Sequence, residues 1–166
     1  MPLGAYAANV ATVDTDKQYP PGTQIVIDQK DASDEGESVY IYAFNDSGTT
    51  IPVGDICVRK AATATYNILT APAAALVPAM RIVGVCEVEI VTGSYGWLLR
   101  SGVTSIQQGA NVTADSSITV SKAGGSTAGQ GVDMASGDEE GVIGLWLASS
   151  TATPGTLVAA WVDCRG

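Results

Sequence analysis

Few side chains in this chain could do chemistry. There is no His among the 166 residues. That removes Ser-His-Asp and Cys-His catalysis and most transition-metal sites. Carboxylates remain. Glu87 and Glu89 are two apart in a strand-like pattern, where a carboxyl pair could flank a sugar, and Glu139 and Glu140 are adjacent. The solvent side of an amphipathic strand accounts for Glu87 and Glu89 more simply. The acidic run Asp31-Ala-Ser-Asp34-Glu35-Gly36-Glu37 lacks the alternate-residue spacing of a Ca²⁺ loop and reads as solvated. No glycine-rich phosphate loop stands between a strand and a helix. Cys57, Cys86 and Cys164 lie in apolar patterns with no Cys-x-x-Cys. Buried free thiols are expected, with a Cys86–Cys164 link as the sharper alternative. Tyr95, Trp97, Trp146 and Trp161 could stack on sugars or pack in a core or at a subunit interface. The reading is of a non-enzyme with no catalytic residue, no cofactor and no metal.

The elements that hold these residues are strands. From Cys86 to Ile90 apolar and charged residues alternate, the period of a half-buried strand. Thr92-Gly93-Ser94 is a turn composition, and Tyr95 to Arg100 reads as the partner strand. The pattern recurs near the end: Val142 to Leu147, a turn-rich Ser149 to Gly155, then Thr156 to Gly166. Overlaying the two places Gly84 on Gly144, Trp97 on Trp161 and Gly102 on Gly166. The extra residues of the second copy are absorbed in its turn. Two related hairpins are therefore expected, at about 82–103 and 142–166. Matched tryptophans favour packing over ligand binding.

The rest of the chain fits one β domain from 23 to 166. Strands are expected at Thr23–Asp28, Val39–Phe44, Ile56–Arg59 and Ile118–Ser121, with 61–70 either strand or loop. A short helix is the reading for Ala71–Met80, between Pro72 and Pro78. Lys122–Gly131 reads as a long mobile loop. Residues 1–22 carry small side chains and end in Pro20-Pro21-Gly22, which predicts an extended N-terminal arm. The net charge of −9 argues against nucleic acid. No apolar run approaches the length of a membrane span, and the N-terminus lacks the basic start of a signal peptide.

The layout resembles the small head decoration (cement) proteins of tailed bacteriophages. The resemblance runs through most of 20–166: Ile82-Val-Gly-Val-Cys86, Gly93-Ser-Tyr-Gly-Trp-Leu-Leu-Arg-Ser-Gly102, Ala110-Asn-Val-Thr-Ala-Asp-Ser-Ser-Ile-Thr-Val120 and Gly141-Val-Ile-Gly-Leu145. It implies a non-enzymatic virion protein on the outer capsid surface, assembled in the host cytoplasm. It implies the major capsid protein and self, as a homotrimer, for partners. The fold expected is all-β, a compact β-barrel or β-sandwich (β-tulip-like) with at most one or two short helices. Leu3, Tyr6, Val10 and Tyr19 of the arm are the capsid-contact candidates. A carbohydrate-binding or fibre domain of a virion is the alternative.

Overall fold

A computed structural model of the chain describes residues 9–28, 37–60, 66–71, 81–120, 128–135 and 141–164. These residues are all β, as the alternation and the turn residues predict. The strands are β1 (Val13–Asp14), β2 (Gln24–Asp28), β3 (Glu37–Asn45), β4 (Ile56–Arg59), β5 (Asn67–Thr70), β6 (Ile82–Cys86), β7 (Tyr95–Gln107), β8 (Ser117–Val120), β9 (Gly131–Asp133), β10 (Val142–Trp146) and β11 (Leu157–Asp163). The helix expected over 71–80 and the loop expected over 122–131 fall largely outside the described residues.

All the strands join one connected sheet. Its pairings close on themselves twice, so the molecule is neither a simple sandwich nor a single barrel. In the first ring β3 pairs β7, β7 pairs β6, β6 pairs β4 and β4 pairs β5. β5 then returns, parallel, to β3. In the second ring the later half of β7 pairs β11, followed by β10, β8 and β9. A parallel bridge from Gly131 to Gln108 completes the circuit. The 13-residue β7 thus belongs to both rings.

The two rings are copies of one plan. Cys57 pairs Gly84 in the first as Ile118 pairs Gly144 in the second, and the same register shift follows one residue later in each. The bridge Ile51–Ile90 corresponds to Val112–Ser150. Gly93 N–H donates to the Asn45 carbonyl as Gly155 N–H donates to that of Gln108. A side chain at Gly84 would strike the Leu99 carbonyl, and one at Gly144 would strike that of Trp161. Two β backbones approach there, so only Gly fits.

This register corrects the expected alignment. Gly84 does match Gly144. Trp97, however, stands where the second unit has Ala159, and Trp161 stands where the first has Leu99. The turn absorbs fewer extra residues than the tryptophan match assumed. The first hairpin also differs from expectation. β6 stops at Cys86, and the chain bends at 87–88 before pairing again at Ile90.

Ile41, Ala43, Ile51, Cys57, Ile68, Val83, Cys86, Ile90 and Leu98 fill the first ring. In the second, Trp146 takes the place of Cys86 and Gly131 the place of Ile68. The swap is steric. A Cβ on Gly131 would lie 3.2 Å from the Trp146 ring, so the large indole uses the space that Ile68 fills in the other copy. All three thiols are buried and free, so the Cys86–Cys164 link does not form. Burial pushes the Cys86 and Cys164 thiols up to about 12 and that of Cys57 well above its usual range. Such thiols are poor nucleophiles.

Candidate interaction faces

Residues paired in register share a face of the sheet. On the outside of the first ring, Tyr40, Leu99, Val85 and Ile56 form a row across β3, β7, β6 and β4. Tyr42 and Trp97 form the next row, then Phe44 and Tyr95. On the outside of the second ring the matching row is Val103, Trp161, Leu145 and Ser117, followed by Ser105 with Ala159 and Gln107 with Leu157. The construction is the same and the surroundings are opposite.

The chain's own N-terminal segment lies over the Tyr42–Trp97 row of the first face, while the Tyr40–Leu99–Val85–Ile56 row belongs to the same buried cluster as Ile106, Ile118, Trp146 and Val158 of the second unit. β1 pairs β7 at Gly96 and Tyr95, and β2 pairs β3. Tyr19 lies 5.3 Å from both the Tyr42 and the Trp97 ring, and those two lie 5.0 Å apart. Tyr95 stacks on Tyr42 at 5.8 Å and meets Phe44 at 4.8 Å. The Tyr42 hydroxyl donates to the Asp14 carboxylate at 2.7 Å, and Gly22 N–H donates to the Tyr42 carbonyl at 2.7 Å. The Tyr40 hydroxyl donates to Glu87 at 2.9 Å. Burial first, then the neighbouring carboxylate, pushes both hydroxyls far above the ordinary tyrosine value. Both remain protonated donors, pinning the segment and the 87–90 turn to the sheet.

This cover decides the fate of several expected residues. Val10 and Tyr19 pack against the core cluster, so residues 9–22 run along the body where a free arm was expected. Leu3 and Tyr6 lie outside the described residues. Trp97 and Trp146 are buried, and Tyr95 is half-buried among aromatics. Glu87 is half-buried beneath Tyr40 while Glu89 is exposed, so the two carboxylates do not share one open strand face. No group of three or more His, Cys, Asp or Glu able to hold a metal occurs among the described residues. No described helix is long and apolar enough to cross a membrane.

Trp161 is not buried in the chain's own core as Trp97 is, which leaves the subunit-interface alternative for it. It is 40% exposed, beside Val103 at 40%, Leu145 at 41%, Leu157 at 48% and Leu147 at 50%. A shallow depression of about 250 Å³ borders it, lined by Ser117, Val142, Gly144, Leu145 and Asp163 among others. Leu145, Leu157 and Val103 join Trp161 on this face without having been expected there. Their signal was present in β11, where Leu157, Ala159, Trp161 and Asp163 alternate with the buried Val158, Ala160 and Val162.

No family model and no curated protein sequence matches the chain. Its fold is similar to that of the head fiber gp8.5 N base of bacteriophage phi29, with a TM-score of 0.52 and 14% sequence identity. The match covers 76% of this chain and 95% of that one.

Proposed function

We propose that the protein is a non-enzymatic virion component that decorates the outer surface of a phage head and stabilises it by bridging subunits of the major capsid protein. The observation that carries this reading is the shared fold with a head fiber base over 95% of that chain. The physical character of the molecule supports it. The described residues form a closed, hydrogen-bonded β body with inert buried thiols. The net charge of −9 suits an outer surface better than one facing packaged nucleic acid. The protein is assembled in the host cytoplasm, joins the shell as a homotrimer, and gains avidity from repeated weak contacts. Leu3 and Tyr6 are its capsid contacts. Val10 and Tyr19 contribute by holding the root of that segment to the body.

The test is co-sedimentation of the purified protein with empty heads that lack it. Saturable binding at a fixed ratio to capsid protein is expected. Failure to co-sediment at low ionic strength and tens of micromolar protein would overturn the reading. A carbohydrate-binding role calls for two exposed aromatic platforms near polar loops. Among the described residues Trp161 is the single exposed aromatic.

A further inference from the structure

We infer that the outer face of the second unit, centred on Trp161, is where a second copy of the chain docks. The inference names the face used by the self-association proposed above and rests on that reading.

The row Tyr40–Leu99–Val85–Ile56 and the row Val103–Trp161–Leu145–Ser117 occupy the same register positions of the same plan. All four members of the first row are buried, and the apolar members of the second are open. The first unit shows how such a face is completed. Its first row is closed within one buried cluster with Ile106, Trp146 and Val158 of the second unit, Tyr19 is laid over the Tyr42–Trp97 row, and a short strand pairs the edge of β7 at Tyr95–Gly96. The corresponding edge of β11 is Leu157–Val158. Among the described residues no strand pairs it on the side away from β7, because the register of β10 ends at Ala160. Nor can the chain repeat its own cover. The stretch that precedes the second unit as residues 9–27 precede the first contains β6, which is already built into the first ring.

Charge selects the occupant. A chain of net charge −9 repels its own copies over most of its surface. On this face Val103, Ser105, Gln107, Leu145, Leu147, Leu157, Ala159 and Trp161 carry no charge, and Asp163 stands at the border. Two copies meeting there bury apolar surface and bring few like charges together. An uncharged apolar face needs no matched charge on the copy it meets, so it can line the contacts around the axis of the trimer proposed above.

The experiment is light scattering with analytical ultracentrifugation on the full chain, from about 1 to 100 µM, a span that brackets micromolar affinity. It uses the parent, Leu145→Glu, Leu157→Glu, and Val26→Glu as an exposed control elsewhere. Tryptophan emission is followed on dilution of the unmodified protein, which needs no variant to fold. The parent is expected to associate, and its emission to shift red on dilution as Trp161 meets water. Each face variant should associate at least about 100-fold more weakly, the effect of placing an unpaired charge in such a contact. Val26→Glu should behave as the parent.

A parent that is monomeric at 100 µM overturns the inference together with the proposed self-association. Association unchanged in both face variants overturns the face alone. Quenching of Trp161 by simple sugars, without association, makes the face a sugar platform and overturns the inference. Capsid binding is measured separately, so a monomer that still binds heads leaves the decoration reading standing.

Discussion

The first and second units share pairing order, bulge position, left-handed turns and a glycine at the same backbone crossing. They differ in what lies on either side of that backbone. The first ring has a modest interior of Ile, Val and Cys and a heavily aromatic exterior under the N-terminal segment. The second puts one tryptophan, Trp146, inside and leaves its exterior, with Trp161, open. One hydrogen-bonded scaffold therefore tolerates opposite distributions of bulk, provided each face is filled from one side or covered from the other. Backbone pairing sets the plan, and side-chain volume decides which face is left for a partner.

The largest expected difference between the two units comes from truncating the two exterior side chains that sequence alone would equate. Trp97→Ala removes a buried ring packed on Tyr19 and Tyr42. It should cost about 3–5 kcal/mol. Trp161→Ala, at an open position, should cost less than about 1 kcal/mol in the unassociated protein. Urea unfolding of both variants at low protein concentration checks this. Equal losses would mean that the second face is covered as the first is.

Much of this was legible in the sequence. Val39 to Phe44, Ile56 to Arg59 and Ile118 to Ser121 announced strands through β-branched and aromatic residues, and Gly84 with Gly144 announced a repeat. The tryptophan match misled because an indole is conspicuous while the register is fixed by backbone approach at glycine. The reach of the repeat, back to Ile51 and Val112, was hidden. Its inner positions exchange Cys for Trp and Ile for Gly, a trade in volume that no residue-type comparison detects. The packing of residues 9–22 was hidden for a related reason. Tyr19 and Asp14 are unremarkable until the fold brings Tyr42 and Trp97 beside them.

A second contrast lies at Asp55 and its counterpart Ser116, which occupy the same turn. Asp55 is buried, and desolvation pushes its carboxyl up to about 6, partly offset by a hydrogen bond to Thr70. In the unfolded chain it titrates near 3.8. Between those values the folded state holds a proton that the unfolded state has released, so stability falls as pH rises from about 4 to 6. The full loss is about 3 kcal/mol, two pKa units at about 1.4 each. Asp55→Asn should remove this slope and raise stability at pH 7. Chemical denaturation at pH 4, 5, 6 and 7 is the measurement. Parallel curves for the two proteins would mean that Asp55 is ionised without strain.

The smallest expected effect concerns two buried amides at matched positions, Asn45 and Gln108. Asn45 is saturated. Its Nδ2 donates to the carbonyls of Thr49 at 2.8 Å and Ile90 at 2.7 Å, and its Oδ1 accepts from Ser47 N–H at 3.0 Å and Ser47 Oγ at 2.6 Å. Gln108 is half-served. Its Nε2 donates to the carbonyl of Ala152, and its Oε1 is buried without a partner. Removing a saturated amide strands the groups it served, whereas removing a half-served one also relieves a buried, unpaired oxygen. Both changes cost stability, but Asn45→Ala should cost more than Gln108→Ala, by about 1–2 kcal/mol, the scale of one uncompensated buried polar atom. Denaturant midpoints measured side by side decide it. A larger loss at Gln108 would mean that its oxygen is satisfied in solution, and that the second unit is held at this corner as firmly as the first.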